Sequence, residues 1–230
     1  MADYLVSHQL FFAILTGLVP SLIWLFFWLR ISKKTPEPWG LVLLCFVLGA
    51  ASVMITIALQ RSTAHLFTST TTRVAVWAGI EEVLKFGIFY MVIFHHDTEK
   101  HAIDPALYMI AVALGFAAFE NILYVLHPAG SFNVTTALLT GSLRFFGSTL
   151  LHAIASSFVG ICIAIFAMRK LKNIGVLAGL ATAIFLHAAF NFFILQNDTA
   201  NFLQIYGFLW VAAIISHIIL EKLRRVPLMK

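Results

Sequence analysis

Three ionisable side chains stand within five residues of one another in a stretch that is otherwise apolar enough to lie in a lipid bilayer. In "AGIEEVLKFGIFY", residues 78–90, these are Glu81, Glu82 and Lys85. An ionisable group inside a membrane span costs about 2.5–3.5 kcal/mol on insertion scales, so groups that are kept there face a bundle interior and mark a site. Later apolar runs carry Glu120, His152 and His187, with Asn121 beside the glutamate and Asn191 four residues beyond the second histidine. Carboxylates, imidazoles and amides can activate water, hold a tetrahedral oxyanion and deliver a proton to a leaving amine. They can also form a proton relay through a transporter, so their placement has to discriminate.

Residues four apart share one face of a helix. Glu81 and Lys85 therefore lie on one stripe, with Glu82 three residues before Lys85. Arg144, Ser148, His152 and Ser156 make a second stripe, and His187 with Asn191 a third. Adjacent glutamates diverge by about 100° around a helix, so one of Glu81 and Glu82 acts while the other supports, and Glu81 is favoured to act. Depth adds a further constraint at 1.5 Å per residue. Glu81 lies about 12 Å past Arg73, Glu120 about 10 Å before His127, His152 about 12 Å past Arg144, and His187 about 15 Å before "QNDTAN". Four helices thus bring acids and imidazoles to one layer.

The elements that must hold this layer are transmembrane helices. The chain has 230 residues, 61% hydrophobic and 11% charged, against roughly 25% charged in soluble domains. Breaks at Pro, Gly and charge clusters predict seven spans at roughly 8–30, 39–60, 73–95, 104–126, 143–168, 174–196 and 201–221. The expected fold is all-α, a polytopic transmembrane helix bundle forming a single membrane-embedded domain over residues 1–230. The first run reads as a retained span and not as a cleaved signal. Arg30, Lys33, Lys34, Lys100, Arg169, Lys170 and the basic carboxyl-terminal segment fall on one side, against Arg61, Arg73 and Arg144 on the other. The positive-inside rule then places the amino terminus outside and the carboxyl terminus in the cytoplasm. The net charge of +5 is explained by this asymmetry, with no nucleic-acid partner expected. Cys45 and Cys162 lie in apolar runs and read as core residues, not a disulfide. The segment 127–142 reads as a connector or a candidate lid.

Some polar residues read as structural. Ser148, Ser156, Thr182 and the stripe Ser52, Thr56, Gln60 suit helix packing, with Gln60 near enough to the outer edge to touch a substrate. His217 has no partner at helical spacing. His95, His96 and His101 belong to a cytoplasmic loop away from the layer.

"EEVLK" at 81–85, "FAAFEN" at 116–121, "HAIAS" at 152–156 and "HAAFN" at 187–191 resemble, in this order, the motifs of the PrsW family of intramembrane proteases. The family is related to the prenyl-protein (CAAX) endopeptidases and bacteriocin-processing enzymes, and the resemblance covers roughly residues 73–195. It implies peptide-bond hydrolysis in the membrane, with a single-span membrane protein as substrate. For founding members it implies the first, extracytoplasmic cut of an anti-sigma factor, which suggests a bacterial or archaeal cell membrane as the location.

Two chemical schemes fit. In the favoured one no cofactor is required: Glu81 takes the proton from water, Glu120 or His152 orients it, and His187, Asn191 and Asn121 donate to the oxyanion, while Glu82 and Lys85 brace the helix. In the rival scheme zinc is held by Glu120, His152 and His187, with Glu81 as base, although no HExxH helix is present. Ser156 has no orienting acid for a serine mechanism. A retinal receptor fails because the last span has no lysine. A proton-coupled transporter or a non-catalytic scaffold remains the alternative class, although the polar layer is off-centre and the third to sixth spans have no internal proline beyond Pro105. The sequence sets no oligomeric state.

Overall fold

The structure, a computed structural model, describes residues 2–30, 38–94, 101–126, 144–196 and 202–226. These form seven helices and no strand: α1 (Ala2–Leu29), α2 (Trp39–Thr63), α3 (Thr70–Phe94), α4 (Asp104–Leu126), α5 (Ser148–Ala167), α6 (Lys172–Gln196) and α7 (Phe202–Leu223). Six of them are long and apolar enough to cross a membrane. The exception by composition is α3, which at 25 residues has the length but carries Glu81, Glu82 and Lys85. The segment 127–142 and the loop residues His95 and His96 lie outside the described residues.

The bundle is organised around α4. From Asp104 to Ala118 every residue is buried, and α1, α2 and α5 pack along it, while α6 lies across α5 and α3. α7 rests on α5, where Ser157 and Ser216 share a hydrogen bond of 2.6 Å. The outward faces carry Phe11, Leu43, Leu177 and Phe185, all largely exposed, as expected of a surface solvated by lipid tails. Small residues admit the close approach at the centre. A Cβ on Gly115 of α4 would overlap the Phe46 carbonyl of α2, and one on Gly49 of α2 would overlap that of Val112. Without a hydrophobic driving force between helices in lipid, such backbone proximity and its van der Waals contact supply much of the association.

α5 departs from the sequence expectation of one unbroken helix from 143. The backbone leaves helical dihedrals at Gly147 (φ −111°, ψ −90°), so Arg144–Phe146 form a separate turn above it. That turn is held from α1, where the Trp24 indole N–H donates to the Phe145 carbonyl at 3.1 Å and its ring stacks on Phe145 with centroids 5.5 Å apart. At the other end the Ala102 N–H donates to the Val226 carbonyl at 3.0 Å, tying the approach to α4 to the end of α7.

The α2–α4 approach gives a direct test. Gly115→Val should force the two helices apart and destabilise the protein by about 1–3 kcal/mol or more, measured as a lower melting temperature in detergent, whereas Gly40→Ala, where a Cβ meets nothing within 4 Å, should leave it unchanged.

Candidate functional site

Glu81, Glu82, Lys85, Glu120, His152 and His187, from α3, α4, α5 and α6, meet in one connected cluster. Lys85 is at its centre and has no solvent exposure. Its ammonium lies 2.7 Å from Glu82 Oε1, 3.8 Å from Glu81 Oε2 and 2.7 Å from Nδ1 of His152, and 4.5 Å from the centroid of the Phe116 ring. Two hydrogen bonds, a nearby second carboxylate and an aromatic face thus compensate the buried charge inside the protein.

The two adjacent glutamates differ in how fully they are engaged. Glu82 uses both oxygens: Oε1 faces Lys85 and also the Nδ1 of His187 at 2.8 Å, while Oε2 accepts from the Ser156 hydroxyl at 3.3 Å. Glu81 uses one. Its Oε1 accepts from the Gln60 amide of α2 at 2.9 Å, and its Oε2 is buried without a hydrogen bond to any described residue, 3.7 Å from His187 Nε2. The 100° between successive residues is the cause: it points Glu82 into the α5–α6 seam and Glu81 towards α2.

The imidazoles follow from these contacts. A carboxylate accepts, so His187 donates from Nδ1 to Glu82, and its Nε2 faces Glu81 Oε2 at 3.7 Å, where a neutral ring presents a lone pair and a protonated ring an N–H. His152 accepts from Lys85 at Nδ1, which places its proton on Nε2, 3.2 Å from Glu120 Oε2. The two rings stand edge to face, with centroids 4.9 Å apart.

Glu120 is the most open of the acids, with its side chain 34% exposed. It is paired with Arg144, whose Nη2 lies 2.9 Å from Glu120 Oε2 and 3.2 Å from the Ser148 hydroxyl. The Nε of Arg144 donates to the side-chain oxygen of Asn121, and the Asn121 amide donates to Thr149 at 2.9 Å. Asn121 is thereby turned to α5 and braces it. Asn191, one turn beyond His187, is half-buried and makes no hydrogen bond to another described residue.

Gln60 and Arg144 are the residues that spacing left out of the site. Gln60 was read as packing or touching a substrate, and it binds Glu81 instead. Arg144 was visible on the His152 stripe, but its pairing with α4 was not. The other structural readings have simple counterparts. Ser52, Thr56 and Thr182 bond within their own helices, and His217 stacks on Phe27 at 5.9 Å. His101 lies 3.9 Å from Asp104 at the start of α4, away from the cluster.

Among the described residues, the one His/carboxylate group that brings three ligand atoms together is Glu81, His152 and His187, all within 4.8 Å of one another. The sequence reading had Glu120 in this set, and Arg144 draws that carboxylate to the rim. Two of the three donors are well placed: Glu81 Oε2 is a buried acceptor with no hydrogen-bond partner among the described residues, and His187, when neutral with its proton on the Nδ1 that faces Glu82, offers Nε2, an arrangement typical of metal-bound histidine. His152 joins by exchanging one of its two present partners. A two-imidazole, one-carboxylate set is one that catalytic zinc uses, so the residues fit a divalent cation.

The Lys85–Glu82 pair yields a stability prediction. Lys85→Met leaves a buried carboxylate uncompensated and should cost about 3–5 kcal/mol, while Lys85→Met combined with Glu82→Gln should recover most of that loss; thermal melting of the purified variants compares them.

Residues 37–218 match the family described as PrsW family intramembrane metalloprotease. The protein named Protease PrsW of Geobacillus kaustophilus is 27% identical over 194 residues, covering 82% of this chain and 82% of that protein. The protein of the same name from Oceanobacillus iheyensis is 30% identical over 113 residues, covering 48% of this chain and about half, 52%, of that relative. No solved structure matches the chain significantly. The family match spans well over half of the sequence and contains every residue of the polar cluster, and the helices around that cluster are those of a multi-pass membrane protein. This chain belongs to the PrsW family of intramembrane metalloproteases.

Proposed function

We propose that the protein is an endopeptidase that hydrolyses a peptide bond of a single-span membrane protein near the extracytoplasmic side of a bacterial cell membrane. The observation that carries this reading is Glu81 Oε2, a buried carboxylate oxygen without a hydrogen-bond partner among the described residues amid two imidazoles and an ammonium. Three carboxylates, Glu81, Glu82 and Glu120, stand in the cluster against two side-chain cations, Lys85 and Arg144. When all are ionised and the histidines neutral, one negative charge is left over. That charge is available to take a proton or to hold a cation.

In the proton-transfer scheme, Glu81 Oε2 takes a proton from water as the water oxygen bonds to the scissile carbonyl carbon. The carbon–nitrogen bond then breaks, and the proton held by Glu81 passes to the departing amine nitrogen. Gln60 fixes the other oxygen of Glu81, so that one lone pair direction faces the reacting water. The Glu120–His152 pair orients that water, and the Asn191 amide, one turn beyond His187, donates to the oxyanion. Glu82 holds His187 and Lys85 in register. A divalent cation, where bound, would be held by Glu81, His152 and His187 and would polarise the carbonyl and acidify the attacking water; Glu120 is then the carboxylate left beside it. The surrounding helices exclude bulk water, which strengthens each of these interactions.

The extracytoplasmic placement rests on the distribution of basic residues, and an anti-sigma factor is the substrate that the motif resemblance implies.

Glu81→Gln should insert and melt as the wild type does but lose cleavage of a co-expressed single-span reporter by at least about 100-fold. Wild-type cleavage by this variant would remove Glu81 from the chemistry. Metal analysis of the purified protein, paired with cleavage after chelation, separates the two schemes, since cleavage that survives in metal-free protein excludes a required cation. Alkaline phosphatase fused to the carboxyl terminus should stay inactive and fluorescent protein at the same position should fluoresce; the reverse pattern inverts the topology.

A further inference from the structure

We infer that Arg144 is a positioning residue of the active site, which acts through Glu120 to fix the His152 ring; the inference rests on the proposed hydrolase reading. Arg144 lies outside all four motif stretches, in the short turn above Gly147. Its guanidinium nevertheless reaches three side chains in and beside the polar layer at once: Glu120 Oε2 at 2.9 Å, Ser148 Oγ at 3.2 Å, and the Asn121 oxygen through Nε. The face of the guanidinium covers the Tyr124 ring, with Cζ 4.5 Å from its centroid. A planar fork with fixed donor directions suits this task, and an ammonium on a flexible stem does not.

The oxygen that Arg144 holds is the one that faces His152. Glu120 Oε2 lies 2.9 Å from Arg144 Nη2 and 3.2 Å from His152 Nε2, while the other ring nitrogen of His152 faces Lys85 at 2.7 Å. The imidazole is therefore fixed at both ends, by Lys85 directly and by Arg144 through Glu120. Glu120 is much the more open of the two, its side chain being 34% accessible against 1% for His152. Without the guanidinium it is free to turn towards solvent, and His152 loses its second anchor. Arg144 is already committed to groups of its own chain through both Nε and Nη2, which argues for positioning and against recruitment of a substrate carboxylate. The turn that carries it is held by the Trp24 bond to the Phe145 carbonyl, so the guanidinium is supported from the side away from the site.

Arg144→Ala, Arg144→Lys, Glu120→Gln and the Arg144→Ala/Glu120→Gln double variant would be compared in lipid nanodiscs with a quenched-fluorescent single-span peptide as substrate. Arg144→Ala should lower kcat roughly 10-fold or more with KM within about threefold, because misplacement of a catalytic group by about 1 Å can cost as much as 100-fold. Arg144→Lys should fall between Arg144→Ala and wild type and covers the case in which the alanine variant does not fold. In the Glu120→Gln background the further loss from Arg144→Ala should be less than about twofold, since the two residues act in series. An equal loss in both backgrounds, a change confined to KM, or an unchanged kcat would overturn the assignment. Independently of any substrate, 15N-histidine spectra should show the Nε2 signal of His152 displaced in Arg144→Ala, with that of His187 unmoved. An unmoved His152 signal counts against the inference. Glu81→Gln run alongside keeps the two readings apart: cleavage by that variant overturns the hydrolase site, and the spectra still judge Arg144.

Discussion

The ion pair between Lys85 and Glu82, closed at 2.7 Å with both side chains fully buried, is the constraint on which the polar layer depends. Removing two charges from water costs several kcal/mol each, and their attraction offsets this only when the remaining hydrogen-bonding positions are also met. Here they are met by the other helices: His152 and Ser156 from α5, and His187 from α6. One charge pair on α3 therefore dictates where α5 and α6 can sit. Once they are in place, Glu81 on the neighbouring azimuth is left with an oxygen that no described residue satisfies. A structure that places an unsatisfied acceptor at the centre of a carefully compensated cluster has accepted a cost in stability at the point where chemistry needs it.

Helices and cluster were legible in the sequence to different degrees. The seven helices could be read because a bilayer enforces length and apolarity on any span, and the limits of α4 at 104 and 126 follow directly from the polar breaks. The common layer of Glu81, Glu120, His152 and His187 could be read because depth in a helix is linear in residue number. What could not be read was azimuth between helices. Sequence spacing relates Glu81 to Lys85 within one helix, but it carries no signal that Gln60 of α2 faces Glu81 or that Arg144 reaches Glu120. The same gap explains Asn121, whose neighbour Glu120 suggested chemistry although its amide turns to Thr149. It also explains why Glu120 looked like a ligand alongside two histidines: the competing cation is contributed by a different helix.

Packing at the centre resolves azimuth in a way that pattern reading cannot. Gly49 and Gly115 let α2 and α4 approach until backbone carbonyls take the place of side chains. That approach fixes the rotation of α2 about its own axis, and hence the direction of Gln60. The glycines belong to none of the four motif stretches, yet they help to set which face of α2 meets α3.

The α1 helix touches none of the clustered acids or imidazoles, yet it supports the turn that carries Arg144 through the Trp24 indole on the Phe145 carbonyl. The leading helix is thus a strut that bears on the chemistry at second hand. A substitution along it would retune the geometry while every signature residue stayed the same, a dial for turnover that a motif-based comparison would not register.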